Sequence, residues 1–299
     1  MEIVQVLMST YNGEKYIREQ LDSILKQTYP IVKILIRDDG SSDGTISVLK
    51  EYANRYENVT YYEGTNVGVI QSFLQLLQDS DDLAEYYAFA DQDDVWLPEK
   101  IEKAVEKLKS IKESIPLLYC SDLYVTDAEL NIIKIDDKRP RPSFGNALVQ
   151  NICTGCTAVM NHSLRDIINQ TNPKNIVMHD WWFYLVGTLQ GDVLYDNTPH
   201  MYYRQHGSNE WGAKTSKKEI LKYRLKQLKK KRGYIYRQNE ALLEAFENMD
   251  VPQKKLVSLV QNSENGIIGK VRLIFNKRIY RTTRENDLVY RFVVMLGKL

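Results

Sequence analysis

The sequence predicts an α/β fold in which helices flank a mostly parallel sheet. Over the first hundred residues, short apolar runs alternate with segments whose apolar residues recur every three to four positions. The segments that join them are short, which is typical of a doubly wound sheet. A chain of 299 residues with 43% hydrophobic and 26% charged side chains is also long and apolar enough to bury a sizeable core.

The elements follow one another in a regular order up to residue 112. The predicted strands are residues 3–8, 32–36, 59–62 and 86–90, and the predicted helices are residues 14–28, 43–56, 68–77 and 98–112. Later strands are predicted at 151–160, 192–195 and 200–204, and later helices at 163–170 and 179–189. We expect residues 136–146 to form a loop that crosses the site, and the chain beyond residue 214 to be helical and basic.

Charge is divided unevenly along the chain. Residues 1–130 carry 24 acidic and 12 basic side chains, whereas residues 214–232 carry ten Lys or Arg and one acid. This division predicts an acidic working half and a basic surface for an anionic partner. No apolar run is long enough to span a membrane, and the first residues do not have the pattern of a signal peptide.

Cysteine is sparse, which favours a reducing cytoplasm. Cys153 and Cys156 have the spacing of a metal knuckle or a redox pair. A second pair that would complete a zinc site is absent from the sequence, so we favour a structural role for both.

Polar clusters stand at the carboxyl end of each early strand. The clusters are Ser9–Asn12, Asp38–Asp39, Glu63–Asn66 and Asp91–Asp94. Ligands of doubly wound sheets bind beyond these strand ends, so the clusters are predicted to form one site. The sequence "IRDDGSSDGT" (36–45) reads as a strand-to-helix turn, but two adjacent carboxylates exceed what a turn needs. GxGxxG and GxxxxGK[ST] motifs are both absent, which argues against a nicotinamide site and a P-loop.

The ordered motifs carry a family resemblance. "STYNGEKYIREQLDSILKQTY", "IRDDGSSDGT", "TNVGV" and "FADQDDVW" together resemble the family-2 glycosyltransferases, which have the GT-A fold, over residues 3–206. The resemblance implies that the first two motifs cradle the nucleotide of a sugar nucleotide. The residues to which it assigns this role are Thr10, Tyr11, Asn12, Glu14, Asp38 and Asp39. It also implies that Asp91-Gln-Asp93 is a DxD motif.

A DxD motif implies a divalent metal, Mg²⁺ or Mn²⁺, held against the diphosphate. Carboxylates crowded at a strand end repel one another, and a cation among them relieves that repulsion. We expect Asp93 to ligate the metal directly and Asp91 to contact the ribose or metal-bound water. Asp94 is either a further ligand or a turn cap, and the sequence leaves both open. The resemblance adds His206 as a metal ligand.

Residues after the acidic cluster complete the expected site. An inverting transfer needs a base for the acceptor hydroxyl, and Asp180 occupies the matching family position; its alternative role is a helix N-cap. Trp181 and Trp182 stack on a sugar or fill the core. Arg204 is expected to contact the diphosphate, and Asn66 to join the donor site.

The stretches "HDWW" and "YYRQHGSNEWGA" look most like the bacterial rhamnosyltransferases of the family, which implies dTDP-L-rhamnose, or another UDP- or dTDP-sugar, as the donor. The expected acceptor is a cell-surface glycan or a lipid-linked glycan. The predicted domains are a catalytic domain (1–213), divided into a nucleotide-binding half (1–95) and an acceptor half (96–213), and a basic helical region (214–299).

The basic segments 214–237 and 265–299 also carry apolar residues, which favours contact with an anionic membrane over nucleic acid. We therefore expect a cytoplasmic protein held peripherally at the inner face of the cell membrane. A homodimer is compatible with the sequence.

Two other functions fit part of the pattern. Asp91-x-Asp93-x-Val95 matches the DxDx[TV] motif of haloacid-dehalogenase-like Mg²⁺-dependent phosphatases, in which the first Asp is a nucleophile. That motif normally follows the first strand of its sheet, and it leaves Asp38 and Asp180 unexplained. A non-catalytic module that binds a glycan or a sugar nucleotide is the third hypothesis.

Overall fold

The computed structural model describes residues 2–111, 114–136, 139–206, 233–264 and 266–299. In these residues, eleven strands form two sheets. The strands are β1 (Val4–Thr10), β2 (Val32–Asp38), β3 (Val59–Glu63), β4 (Tyr86–Ala90), β5 (Val95–Trp96), β6 (Leu117–Ser121), β7 (Tyr124–Thr126), β8 (Ile132–Ile135), β9 (Val159–Asn161), β10 (Asp192–Asp196) and β11 (Met201–Arg204).

Helices pack on both faces of the larger sheet. They are α1 (Ile17–Leu25), α2 (Thr45–Arg55), α3 (Val69–Gln78), α4 (Lys100–Lys109), α5 (Phe144–Ala147), α6 (His162–Thr171), α7 (His179–Gln190), α8 (Tyr234–Ala245), α9 (Val251–Gln261), α10 (Ile267–Ile274) and α11 (Arg284–Met295). The predicted strand–helix alternation of the first hundred residues is therefore confirmed.

The larger sheet has seven strands in the order β10-β6-β9-β4-β1-β2-β3. Strand β9 runs antiparallel to both of its neighbours, and the other pairs are parallel. The register places Thr10 beside Asp38, and Asp38 beside Glu63, at the carboxyl ends of three adjacent strands. The predicted mostly parallel sheet is thus confirmed, and its strand ends bring the polar clusters to one edge.

A second sheet of four short strands, in the order β5-β11-β7-β8, was not predicted. It pairs β5, directly after the acidic cluster, with β11, about a hundred residues later in the chain. The predicted strand over 151–160 is wrong in most of its length. A 3₁₀ turn occupies Gly155–Thr157, and only Val159–Asn161 is extended. A short apolar run does not distinguish a strand from a buried turn.

The C-terminal helices belong to the same hydrophobic core as one face of the sheet. Buried Leu242, Val257 and Tyr290 join the cluster that contains Phe73 of α3 and Trp182 of α7. Helices α1, α2 and α4 cover the other face. The predicted domain boundary at 213–214 lies outside the described residues, as does most of the basic segment 214–237. Within the described part of the chain, no helix has the length and apolar character of a membrane span.

Gly145 in α5 packs directly against the backbone of the C-terminal segment at Arg278. A Cβ atom at this position would lie 1.9 Å from the carbonyl oxygen of Arg278, which is backbone and cannot rotate away. We expect Gly145→Ala to lower the free energy of unfolding by about 1–3 kcal/mol, as overpacking of a close contact does. Thermal denaturation measures this change.

Gly44→Ala is the matched control for this prediction. The atoms nearest to its added Cβ belong to the exposed carboxylate of Glu14, which can move aside at the cost of one hydrogen bond from the Gly44 amide, whereas the backbone of Arg278 cannot. Equal melting temperatures for the two variants would contradict the role given to Gly145.

Candidate active site

The acidic loop after β4 is fastened to the end of β1 by Gln92. The Tyr11 amide donates to Gln92 Oε1 at 2.8 Å, and Gln92 Nε2 donates to the Tyr11 carbonyl oxygen at 2.9 Å. From α1, Gln20 Nε2 donates to the Asp91 carbonyl oxygen at 3.0 Å. The loop therefore has a fixed position at the carboxyl edge of the sheet. Sequence reasoning missed Gln92, although it lies inside the acidic motif.

Asp93 and His206 meet at the open side of this loop. Asp93 Oδ2 and His206 Nε2 are 2.8 Å apart, and both side chains are partly exposed. The centre of the His206 ring lies 4.8 Å from that of the Tyr16 ring, and this contact helps to hold the imidazole beside Asp93. The predicted pairing of a carboxylate with a late histidine is therefore present in the geometry, and a ligand in solution can reach it.

Arg204 is buried and its guanidinium is engaged by the protein. Its Nε donates to the Asp93 carbonyl oxygen at 2.9 Å, and its Nη atoms contact Glu19 and the Ala128 carbonyl oxygen. The guanidinium also lies 4.6 Å from the Tyr16 ring. This geometry corrects the expected diphosphate contact, because so buried and occupied a side chain serves to hold the acidic loop.

Asp91 and Asp94 of the same loop form a group with Cys156. One ligand atom each of Asp91, Asp94 and Cys156 lies within 4.8 Å of the others. Burial, with the charges of Asp93 and Asp180, raises the pKa of Asp91 to about 7. Burial likewise raises the pKa of Asp94 and of the Cys156 thiol well above their usual values. Burial and mutual repulsion therefore both disfavour the charged forms of these groups.

Asp94 has a structural contact that neither of its predicted roles describes. Its Oδ1 accepts from the Arg204 amide at 3.2 Å, and its Oδ2 has no hydrogen-bond partner among the described residues. Asp94 therefore attaches β11 to the acidic loop.

The residues present fit a divalent cation best on the open side. Mg²⁺ and Mn²⁺ prefer oxygen ligands such as carboxylates, and Mn²⁺ also accepts imidazole, whereas the neutral thiol of Cys156 is an unfavourable ligand for both. Asp93 and His206 offer such atoms next to solvent, and Asp91 lies between them and the buried group. A diphosphate can reach this side of the loop. We assign Asp93, His206 and Asp91 as the candidate ligands.

A buried lysine lies under the same cluster. Lys100 is buried, and its Nζ lies 3.6 Å from the centre of the Trp96 ring. Burial lowers the pKa of Lys100 to about 7, while the charges of Cys156 and Asp94 act in the opposite direction. Sequence reasoning missed this residue. Its signal is a lysine that shares one helix face with buried Ala104 and Leu108.

The residues predicted to bind the nucleotide are hydrogen-bonded to one another and to nearby backbone amides. Both oxygens of Asp38 accept hydrogen bonds, from Thr10 Oγ1 at 2.8 Å and from the Ser41 amide at 2.7 Å among others. Asn12 Oδ1 accepts from the Ser42 amide at 2.8 Å, and Glu14 Oε2 accepts from the Gly44 amide at 2.9 Å. These bonds tie the first two motifs together. A nucleotide would therefore bind to a surface of these two motifs that is already ordered in its absence.

Asp39 shapes the loop that contains Asn66. Its carboxylate pairs with buried Arg37 at 2.5 Å and accepts from the amides of Val67 and Gly68, each at 2.9 Å. Asn66, in this loop, is exposed, and so are Tyr11, Asn12 and Glu14. These four members of the predicted donor set present surface to a ligand.

Asp180 lies in the first turn of α7 and faces the acidic loop. Its Oδ2 accepts from the Gly155 amide at 3.1 Å, and its Oδ1 accepts from the Trp181 amide at 2.6 Å. Its charge also contributes to the raised pKa of Asp91, which places the two carboxylates close to each other. The helix N-terminus and the Gly155 amide stabilise the ionised form of a carboxylate in this position.

The two tryptophans after Asp180 belong to the core. Trp182 has no exposed surface, and Trp181 is buried with its Nε1 donating to the Ala147 carbonyl oxygen at 2.7 Å. Stacking of Trp182 on a sugar is therefore corrected, because a fully buried ring offers no face. His179 is also buried and stacks on Phe73 at 4.3 Å, which anchors the start of α7.

Comparison with known proteins identifies the family of this chain. The profile of "Glycosyl transferase family 2" matches residues 5–168. A dTDP-rhamnosyl transferase, RfbG of Shigella flexneri, is 32% identical over 228 residues, which cover 72% of this chain and 77% of that protein.

Solved structures share the fold. The S. aureus TarS structure in complex with UDP-GlcNAc matches with a TM-score of 0.59 and 16% identity, covering 99% of this chain and 91% of that one. A mannosyltransferase from Pyrobaculum calidifontis, in complex with GDP-Man and Mn²⁺, matches with a TM-score of 0.51 and 16% identity over 98% of this chain and 86% of that one.

Proposed function

Because the chain belongs to glycosyl transferase family 2, we propose that it transfers a sugar from a nucleoside diphosphate sugar to an acceptor hydroxyl with inversion at the anomeric carbon. The observation that carries this proposal is the position of Asp180, whose carboxylate accepts from the amide of Gly155, the residue before Cys156, and Cys156 lies within 4.8 Å of Asp91. A base and an acidic donor loop that face each other are what a single displacement requires.

Asp180 acts as the base in this reaction. It takes the proton from the acceptor hydroxyl while that oxygen forms a bond to the anomeric carbon, and the bond from that carbon to the phosphate oxygen breaks. The Gly155 amide holds one carboxylate oxygen at 3.1 Å and the Trp181 amide holds the other at 2.6 Å, so the carboxylate is fixed while its oxygens keep further lone pairs that can accept the proton. The leaving nucleoside diphosphate carries away the bonding electrons.

Asp93, His206 and Asp91 would hold a divalent cation, which supplies charge to stabilise the leaving diphosphate. The protein's own contribution is to hold those ligands in place. Gln92 fixes the loop to β1, and Arg204 fixes it to β11. Tyr11 and Asn66 present the exposed surface against which the nucleotide lies.

We propose dTDP-L-rhamnose as the donor and a lipid-linked or cell-surface glycan as the acceptor. The donor rests on the 32% identical relative that is named as a dTDP-rhamnosyl transferase. The acceptor rests on the basic and apolar composition of residues 265–299, which suits work at an anionic membrane surface on the cytoplasmic side.

The phosphatase hypothesis is wrong. The family match spans residues 5–168, and the acidic motif follows the fourth strand and not the first. A purely binding module is the weaker proposal, because the base candidate and the ligand set are both present.

Thermal unfolding with added nucleotides tests the donor. We expect dTDP with Mn²⁺ or Mg²⁺, at a hundred times its Kd, to stabilise the protein by about 2.7 kcal/mol and to raise Tm by about 4 °C. UDP and GDP under the same conditions, and each nucleotide with EDTA, are the controls.

Release of dTDP from dTDP-L-rhamnose in the presence of acceptor tests the reaction itself. Turnover of UDP-GlcNAc or GDP-mannose in preference to dTDP-L-rhamnose would overturn the donor. Binding without turnover of any of these donors would favour the binding module.

A further inference from the structure

The C-terminal helices α10 and α11 expose the apolar faces that amphipathic helices normally bury. On α10 and its C-cap the exposed apolar side chains are Ile267, Ile268, Val271 and Phe275, and on α11 they are Leu288, Val289, Phe292, Met295 and Leu296. Phe275 is 79% exposed and Ile267 is 78% exposed. Each set recurs at three to four positions, so each forms a stripe along its helix.

These stripes are not a consequence of local unfolding of the helices. Leu273 of α10 and Tyr290 and Val294 of α11 are buried in the main core, so each helix is anchored by its opposite side. The two helices contact each other, and the Lys270 ammonium lies against Gly297 just after α11. The stripes therefore belong to one structured surface, which we call the α10–α11 surface.

The segment that forms the α10–α11 surface is rich in positive charge. Residues 266–299 contain eight Lys or Arg and two acids, and one of these acids, Asp287, is paired with Arg291 at 2.7 Å. Arg272, Lys277 and Lys298 are exposed. A continuous apolar surface with a basic rim is typical of helices that lie in the plane of a membrane interface.

We propose that the α10–α11 surface docks on an anionic phospholipid bilayer, with both helices lying in the interface. This inference extends the proposed function to the place where the acceptor is met. A second copy of the chain fits less well, because a two-fold interface would bring the two basic rims together. Nucleic acid fits less well, because its phosphates would pair with the basic residues but would leave the exposed apolar side chains in water.

Docking of this surface would orient the active site relative to the bilayer. Gly145 of α5 packs against the Arg278 carbonyl, and Asn146 Nδ2 donates to the Tyr280 carbonyl oxygen at 2.9 Å. At the far end of α5, Ala147 accepts from Trp181, the neighbour of Asp180. Helix α5 therefore contacts both the segment that joins α10 to α11 and the residue next to Asp180.

Co-sedimentation of the full chain with vesicles tests the proposal. We expect binding to vesicles that contain phosphatidylglycerol, weaker binding to pure phosphatidylcholine vesicles, and a decline with added salt. The double variant Phe275→Ser and Phe292→Ser should bind at least about tenfold more weakly, because two inserted side chains are lost. Arg272→Glu with Lys277→Glu should lose the preference for the anionic lipid.

Leu83→Ser is the matched control, since Leu83 is 75% exposed and lies in a loop before β4, away from both helices. It should bind vesicles like the wild type. Equal vesicle binding by the double phenylalanine variant and the wild type would overturn the proposal, as would a wild-type protein that ignores anionic vesicles.

Sedimentation velocity distinguishes the competing occupant. A wild-type dimer that the double variant converts to a monomer would assign the surface to a second copy and overturn the membrane assignment. Vesicle binding needs no donor and no turnover, so this test fails or succeeds independently of the proposed glycosyl transfer.

Discussion

Asp180→Asn is expected to lower kcat for glycosyl transfer by about 10²–10⁴-fold while the affinity for nucleoside diphosphate stays unchanged. The amide keeps a carbonyl oxygen that can accept from the Gly155 and Trp181 amides, so the start of α7 should keep its position. What the variant loses is the ability to take a proton from the acceptor hydroxyl. Single-turnover transfer and calorimetric nucleotide binding, measured on the same preparation, separate these two effects.

Asp192→Asn is the matched control for the base. Asp192 Oδ1 accepts from the amide of the next residue, Val193, at 2.8 Å, just as Asp180 accepts from Trp181. It begins β10 at the far edge of the sheet from the nucleotide motifs, so its loss should leave kcat near the wild-type value. Full transfer by Asp180→Asn would remove Asp180 from the base role and leave it as a helix cap.

The position of the site could be predicted because it depends on a rule about strand ends. Parallel strands β1, β2 and β4 are neighbours in the sheet, and each is a short apolar run followed directly by polar residues. The pattern of apolar residues, together with the polar and turn residues that end each run, is enough to find such strands. The residue types at their ends then indicate a cation and a diphosphate.

The contacts that hold the site together could not be predicted in the same way. Arg204 reaches Asp93 across more than a hundred residues through a second sheet whose strands are two to five residues long. Strands of that length carry too little periodicity to be recognised. For the same reason an arginine expected on a diphosphate is found inside the protein, with Tyr16 against its guanidinium.

Side-chain exposure is the other quantity that local patterns leave open. Trp181 and Trp182 look alike in the sequence, and both are core residues because α7 packs on the sheet and shares one buried cluster with the C-terminal helices. The apolar residues of α11 look like a core stripe and are instead exposed. Burial depends on which face of a helix meets the rest of the fold, and that is decided by tertiary packing.

Asp93→Asn is expected to weaken metal-dependent binding of nucleoside diphosphate by about 100-fold, comparable to or greater than the loss of a supporting residue around a metal site. The substitution is nearly isosteric and leaves the Asp93 carbonyl free to accept from Arg204, so the loop should keep its shape. Without metal, we expect Tm to be unchanged or higher, because one of the charges that raise the pKa of Asp91 is removed. Calorimetry with Mn²⁺ alone, and with dTDP in the presence and absence of Mn²⁺, measures each step.

The chain offers a close control in Asp166 of α6, which pairs with His162 at 3.2 Å and with Arg165 at 2.9 Å. Asp166→Asn should leave Mn²⁺ binding and dTDP binding intact, which would show that a carboxylate–histidine pair alone does not create the site. If Asp93→Asn bound dTDP equally well with and without Mn²⁺, and as tightly as the wild type, the ligand assignment would be contradicted. If it lost affinity equally in both conditions, Asp93 would act on the nucleotide or the loop, and the metal would have to be held by Asp91 and His206 alone.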